Sequence, residues 1–143
     1  MFKPSEEFKL DHIGIAVPNL EEGAKFYRAL GLGNMYVEVV EKEKVKVGMF
    51  EMANHARIEL LEPTLDDSPV GKFLAKRGPG IHHICFRVPD LKKTLARLKA
   101  DGVRLINEEP TQGAHNCLIA FVHPSATGGV LIELSEFQGQ GDD

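Results

Sequence analysis

Leu10-Asp11-His12-Ile13-Gly14-Ile15-Ala16-Val17-Pro18-Asn19-Leu20 is echoed by Ile81-His82-His83-Ile84-Cys85-Phe86-Arg87-Val88-Pro89-Asp90-Leu91. A shift of 71 positions carries His12 onto His83, Val17 onto Val88, Pro18 onto Pro89, Leu20 onto Leu91 and Gly31 onto Gly102. Further along, Ile58-Glu59-Leu60 returns as Ile132-Glu133-Leu134, with Glu62 falling on Glu136. The second shift is 74, so the later copy carries about three extra residues in its middle. One supersecondary unit is used twice. The half-modules run at about 9–66 and 80–137, within a single domain spanning 1–143.

Each copy reads strand, helix, strand, strand, strand. Lys9 to Val17 alternates and is rich in β-branched residues; Pro18 ends it, and Asn19 caps a helix from about Leu20 to Leu30 that Gly31 closes. Strands follow at about Met35 to Val40, Val45 to Met52 and Arg57 to Glu62, with Asn54-His55 as a turn. The second copy predicts strands at Ile81 to Val88, Val103 to Asn107, Leu118 to Val122 and Gly129 to Glu136, and a helix from Leu91 to Ala100. Between the copies, Asp67 to Arg77 reads as a short helix capped by Asp66, Asp67 or Ser68, and Gly78-Pro79-Gly80 as the joint. The tail after Phe137 is polar and glycine-rich, which predicts fraying.

Strand alternation sorts the polar residues. Ile13, Ile15 and Val17 share one face; His12, Gly14 and Ala16 share the other. His83, Cys85 and Arg87 likewise oppose Ile84, Phe86 and Val88, while Glu59 and Glu133 oppose their flanking isoleucine and leucine. Two histidines and two glutamates are thereby expected on the face turned away from the helices. A lone inward histidine is ordinarily a hydrogen-bonded core residue, and a lone glutamate a solvated or paired one. Four at repeat-matched positions favour a metal, because burying unpaired carboxylates is costly and a divalent cation removes that cost. Four ligands on an octahedral ion leave two positions for water or a bidentate substrate. Mixed N/O ligation suits Co, Ni, Mn, Zn or Fe.

The remaining histidines divide by position. His82 reads as structural or as a donor behind His83, and His55 as a solvated turn residue. His115 and His123 flank a strand end, where they serve either the site or the loop.

With 143 residues, 43% of them hydrophobic, the chain suits one core of ordinary size. The net charge of -4 and the lack of a basic cluster argue against nucleic acid as a partner. No apolar run is long enough for a membrane span, and the N-terminal residues lack a leader pattern, so a cytoplasmic protein with no membrane partner is expected. Cys85 and Cys117 have no CxxC spacing and read as buried, reduced thiols.

From Lys9 to Glu136 the chain resembles the vicinal-oxygen-chelate (glyoxalase/bleomycin-resistance/dioxygenase) superfamily, and within it the methylmalonyl-CoA epimerase family. The resemblance rests on Leu10 to Val17, Ile58-Glu59-Leu60-Leu61-Glu62-Pro63, Gly80-Ile81-His82-His83-Ile84, Gly113-Ala114-His115, and Phe121-Val122-His123-Pro124 leading to Gly128 through Leu134. It implies an α+β fold of two tandem βαβββ modules forming a curved, cup-shaped mixed sheet with helices outside. It implies one divalent metal ion held by His12, Glu59, His83 and Glu133, an acyl-CoA substrate, and a homodimer. The implied reaction interconverts the two C2 epimers of methylmalonyl-CoA through an enolate, with Glu133 as one of two proton carriers. Where some members carry the other carrier, on the third strand, this chain has Val47 or Gly48. Glu43, His115 or a water at the metal are the alternatives. Arg87 reads as a rim salt bridge or a contact for the substrate carboxylate.

Metal-dependent glyoxalase I, with the same ligand set, is the rival function. The His123 to Val130 run argues against it, since glyoxalases usually resemble Asp-Pro-Asp-Gly-Tyr there. A non-catalytic small-molecule-binding protein is the third reading, and retention of all four ligands argues against that.

Overall fold

Strand-to-helix turns punctuated by Pro-Asn and Pro-Asp begin each half of the chain. The computed structural model describes residues 7–139. Its elements run Lys9–Ala16 (β1), Leu20–Leu30 (α1), Tyr36–Val40 (β2), Val45–Glu51 (β3), Arg57–Pro63 (β4), Pro69–Arg77 (α2), Gly80–Arg87 (β5), Leu91–Ala100 (α3), Thr111–Gln112 (β6), Cys117–Val122 (β7) and Leu131–Phe137 (β8). The order βαβββ thus occurs twice, with α2 between the copies. None of the helices among the described residues is long and apolar enough to cross a membrane.

The described residues fall into two compact units, His12–His83 and the remainder, 7–11 with 84–139. In the first unit the strand order is β2-β3-β4-β1, with the opening residues of β5 beside β1. β1 and β4 are parallel, setting Gly14 opposite Glu59; β3 runs antiparallel to β4, setting Met49 opposite Glu59 and Val47 opposite Leu61. Val17, Leu20, Ala24, Phe50 and Leu60 form the core beneath α1, as the alternation predicts. On the other face, Ala16, Val45, Val47 and Leu61 pack against Val70, Phe73 and Leu74 of α2. The face bearing His12 and Glu59 is therefore not free of helices. One end of it is sealed by α2, through Val70, Phe73 and Leu74 at helical spacing, a packing that strand parity does not report.

In the second unit the order is β5-β8-β7-β6, with the start of β1 beside β5. β7 and β8 are antiparallel, and Phe121 stands opposite Glu133. Val88, Leu91, Leu95, Ala120, Val122 and Leu134 form the core under α3, joined by Ile132, Val103 and Leu105. The strand expected at Val103 to Asn107 is reduced to one bridge, Leu105 to Val122. The Asn107 side chain takes the Phe121 N–H at 2.9 Å in place of a backbone carbonyl, and Pro110 has no N–H to continue a ladder. The alternating apolar residues reach the core, but pairing resumes only at β6.

The helix ends repeat as closely as the strands. Asn19 and Asp90 each accept the backbone N–H three residues on, from Glu22 and Lys93, at 3.0 Å. The Glu62 carboxylate accepts the Leu20 N–H and Glu136 that of Leu91, both at 2.8 Å. A carboxylate at the positive end of each helix is a stabilising pairing. Gly31 closes α1 at φ 102°, donating to Arg28 and Tyr27 carbonyls, a conformation that favours glycine. Ser68, one of three expected caps, starts α2 by accepting the Gly71 N–H at 3.0 Å.

Candidate metal centre

His12 sits on the half of β1 where only small residues share its face, and it is 8% exposed. Its Nε2 lies 3.0 Å from Nε2 of His83 at the start of β5. Gly14 makes this approach possible. A Cβ there would come within 2.7 Å of His83 Nδ1 and closer still to Cε1. Glu59, on β4 beside Gly14, is 9% exposed, and its Oε2 lies 3.6 Å from His12 Nδ1. His12 and His83 thus turn their Nε2 atoms toward one another, whereas Glu59 lies beside Nδ1, the other ring nitrogen of His12.

Arg57 is the residue that strand reading missed. It lies two positions before Glu59 on the same face and opposite His12 in the parallel register. Its Nε and Nη2 donate to Glu59 Oε2 at 3.0 and 2.8 Å, and Nη2 lies 3.4 Å from His12 Nδ1. The i, i+2 spacing was the available signal. Glu59 is thus not the unpaired buried carboxylate that the sequence argument assumed; it carries its own counter-charge.

His82 departs from simple alternation. Its Nδ1 lies 3.1 Å from His83 Nδ1, with the two rings edge to face, and its ring meets Phe73 of α2 at 5.1 Å between centroids. This is the arrangement expected of a group orienting a metal-ligating histidine, since it engages the nitrogen opposite the one facing His12.

The donor set suits a divalent cation. Two nitrogens each about 2.1 Å from one ion and at right angles lie about 3.0 Å apart, which is the spacing of the two Nε2 atoms. Imidazole with carboxylate is the chemistry that first-row divalent ions take.

Glu133 stands in the other unit, on β8, with Ile132 and Leu134 turned to the core under α3 as predicted. Val47, on the ligand-bearing face of β3, is a 7% exposed aliphatic that cannot carry a proton. Glu43 ends an exposed 3-10 turn, Glu41–Glu43. His115 and Asn116 hold positive φ angles of 56° and 57° at the tip of the β6–β7 hairpin, closed by Cys117 N–H to Ala114 O at 3.2 Å. His123 serves its loop: Nδ1 accepts the Ser125 N–H at 3.0 Å and caps the turn Pro124–Ala126. Arg87 makes the rim salt bridge, to Asp11 at 3.1 Å, and lies over Phe137. His55 pairs with Glu51 at 3.0 Å on the surface, and both cysteines are buried thiols not joined in a disulfide.

The chain belongs to the glyoxalase/bleomycin resistance protein/dioxygenase superfamily, whose sequence model matches residues 11–121. Within that class its relatives are narrower in name. It is 46% identical to the uncharacterized protein YqjC of Bacillus subtilis, over 92% of this chain and 94% of that one. It is 38% identical to human mitochondrial methylmalonyl-CoA epimerase, over 90% of this chain and 73% of the relative. A solved structure of a Streptomyces coelicolor methylmalonyl-CoA epimerase variant, in complex with 2-nitronate-propionyl-CoA, superposes with a TM-score of 0.81 at 37% identity, covering 94% of this chain and all of that one.

Proposed function

We propose that this protein interconverts the (R) and (S) epimers at C2 of methylmalonyl-CoA. The observation that carries the reading is the likeness to methylmalonyl-CoA epimerases, in sequence and in structure, across nine-tenths of the chain. Metal-dependent glyoxalase I and a non-catalytic binding protein are less favoured. The His123 to Val130 run argues against the first, and retention of His12, Glu59, His83 and Glu133 against the second.

Those four residues hold one divalent cation in this reading. His12 and His83 have the spacing described above, and Glu59 and Glu133 are the two copies of the repeat's carboxylate, proposed to join them when the ion binds. The cation, when bound, supplies Lewis-acid stabilisation of the negative charge that builds on the substrate's thioester and carboxylate oxygens. Glu133 transfers the C2 proton on one face of the substrate. With valine at position 47, the second proton carrier comes from outside β3. Val70, Phe73 and Leu74 of α2 exclude water from one end of the ligand-bearing face, which strengthens the electrostatics there. His82 holds the His83 ring from behind.

The same reading makes residues 1–143 one domain and the protein cytoplasmic, which its two buried thiols, not joined in a disulfide, suit. It also makes the protein a homodimer. Support comes from the edge strand β2, where Tyr36, Val37 and Val39 are exposed.

Deuterium exchange tests the function. Methylmalonyl-CoA incubated in D2O with metal-loaded protein should gain deuterium at C2, read by NMR, and chelation should stop it. Exchange no faster than without protein would remove the proposal.

A further inference from the structure

We infer that Phe73 positions the metal centre from α2, acting through His82 on His83, so that docking of α2 and binding of the cation reinforce each other. The inference rests on reading His83 as a ligand through Nε2, the atom 3.0 Å from Nε2 of His12, and it concerns what fixes that ring. A neutral imidazole that gives Nε2 to a cation carries its proton on Nδ1. That N–H has an acceptor in place, His82 Nδ1 at 3.1 Å, with the two rings 89° apart.

His82 is itself held. Its ring meets that of Phe73 edge to face, at 70° and 5.1 Å between centroids. Phe73 packs with Leu74 against Ala16, Val45, Val47 and Leu61, and the Arg77 guanidinium lies over its ring at 5.7 Å. Contacts therefore run unbroken from α2 to the ring of the ligand. The repeat shows that this is a local device. Asp11 stands where the second copy has His82, and its carboxylate pairs with Arg87 instead of meeting a ring. If a docked α2 favours the His83 orientation that takes the cation, the cation favours a docked α2 by the same free energy.

The alternative is that Phe73 serves only the aliphatic packing under α2, with His82 a passive neighbour. Leucine at position 73 keeps that packing and loses the ring. Dissociation constants for Co2+ should be measured by chelator competition, with the visible spectrum of the Co2+-loaded protein, for wild type, H82A, H82N, F73L and F73L/H82A. Positioning predicts that H82A binds Co2+ about 10- to 100-fold more weakly with an altered spectrum, and that H82N, whose amide oxygen can accept the Nδ1 proton, recovers part of the loss. F73L should lose about 3- to 10-fold, and nothing further in the H82A background. In wild type, Co2+ should slow amide exchange in α2 more than in α1, which packs on the opposite face of the sheet. Binding by H82A or F73L equal to wild type overturns the inference, and so does an equal F73L loss in the H82A background. Equal slowing of α1 and α2 also overturns it, and that measurement needs no variant to fold. Failure of the ligand reading itself is seen separately, as a His83→Ala protein that binds Co2+ like wild type.

Discussion

The β1–β4 pair and the β5–β8 pair are two copies of one design, and they differ most where the charge is handled. Both put a histidine on the first strand and a glutamate on the last, and both use a further glutamate to cap the helix between, at 2.8 Å. The glutamate facing the site is guarded differently in each. Glu59 has Arg57 beside it, while Glu133 has Leu131 at the equivalent place and Phe121 across the ladder. The first strands differ too. Gly14 leaves room for the His83 ring, whereas its counterpart Cys85 carries a side chain, 3.5 Å from the Ser135 hydroxyl. Duplication kept the scaffold and the donor atoms; the residues around them diverged to give the two carboxylates different surroundings.

The largest effect should come from Glu133, the proposed proton carrier. Glu133→Gln should lower epimerisation by about 10^2- to 10^4-fold while leaving the thermal melt of the metal-free protein close to wild type. Activity within about tenfold of wild type would mean that proton transfer lies elsewhere. Next, Gly14→Ala should push His83 from its place and weaken metal binding by about 10- to 100-fold, whereas Cys85→Ala at the matching position should leave it unchanged. Titration of the two variants side by side would show whether the asymmetry of the first strands is functional. The smallest effect tests the symmetric part. Glu62→Ala and Glu136→Ala should each lose about 1 kcal/mol in denaturant melts, by the same mechanism and to a similar extent. A loss at only one of them would break the equivalence of the two helix caps.

Much of this was legible in the chain. Pro18-Asn19 and Pro89-Asp90 mark both helix starts, Gly31 and Gly102 both ends, and two-residue alternation places Ile15, Leu60 and Leu134 under the helices. The repeat itself proposes His12, Glu59, His83 and Glu133 as ligands, and of these His12 and His83 approach at 3.0 Å through Nε2. What escaped was long-range or side-chain-specific. Strand parity reports which face a residue is on, but not that α2 folds back over that face through Phe73 and Leu74. The alternating stretch Val103 to Asn107 packs Val103 and Leu105 against the core with one bridge, Leu105 to Val122, while Ile106 stays exposed and the Asn107 side chain takes the Phe121 N–H. Arg57 shares the ligand face by the same parity, yet a charged residue near a strand end reads as solvent-facing until its partner is known. His82 shows the same limit: alternation separates it from His83, and the side chains close the gap.

The separation between the repeated ligand set and the unrepeated loops is the central claim, and one competition of substrates tests it most directly. Metal-loaded protein should be assayed with methylmalonyl-CoA and, separately, with the hemithioacetal of methylglyoxal and glutathione, comparing kcat/KM. Both reactions suit the same ligand set, so the choice falls to the His123 to Val130 run and its capped turn. The account predicts robust epimerisation and hemithioacetal turnover at background. Efficient hemithioacetal isomerisation with no epimerisation of methylmalonyl-CoA would contradict it.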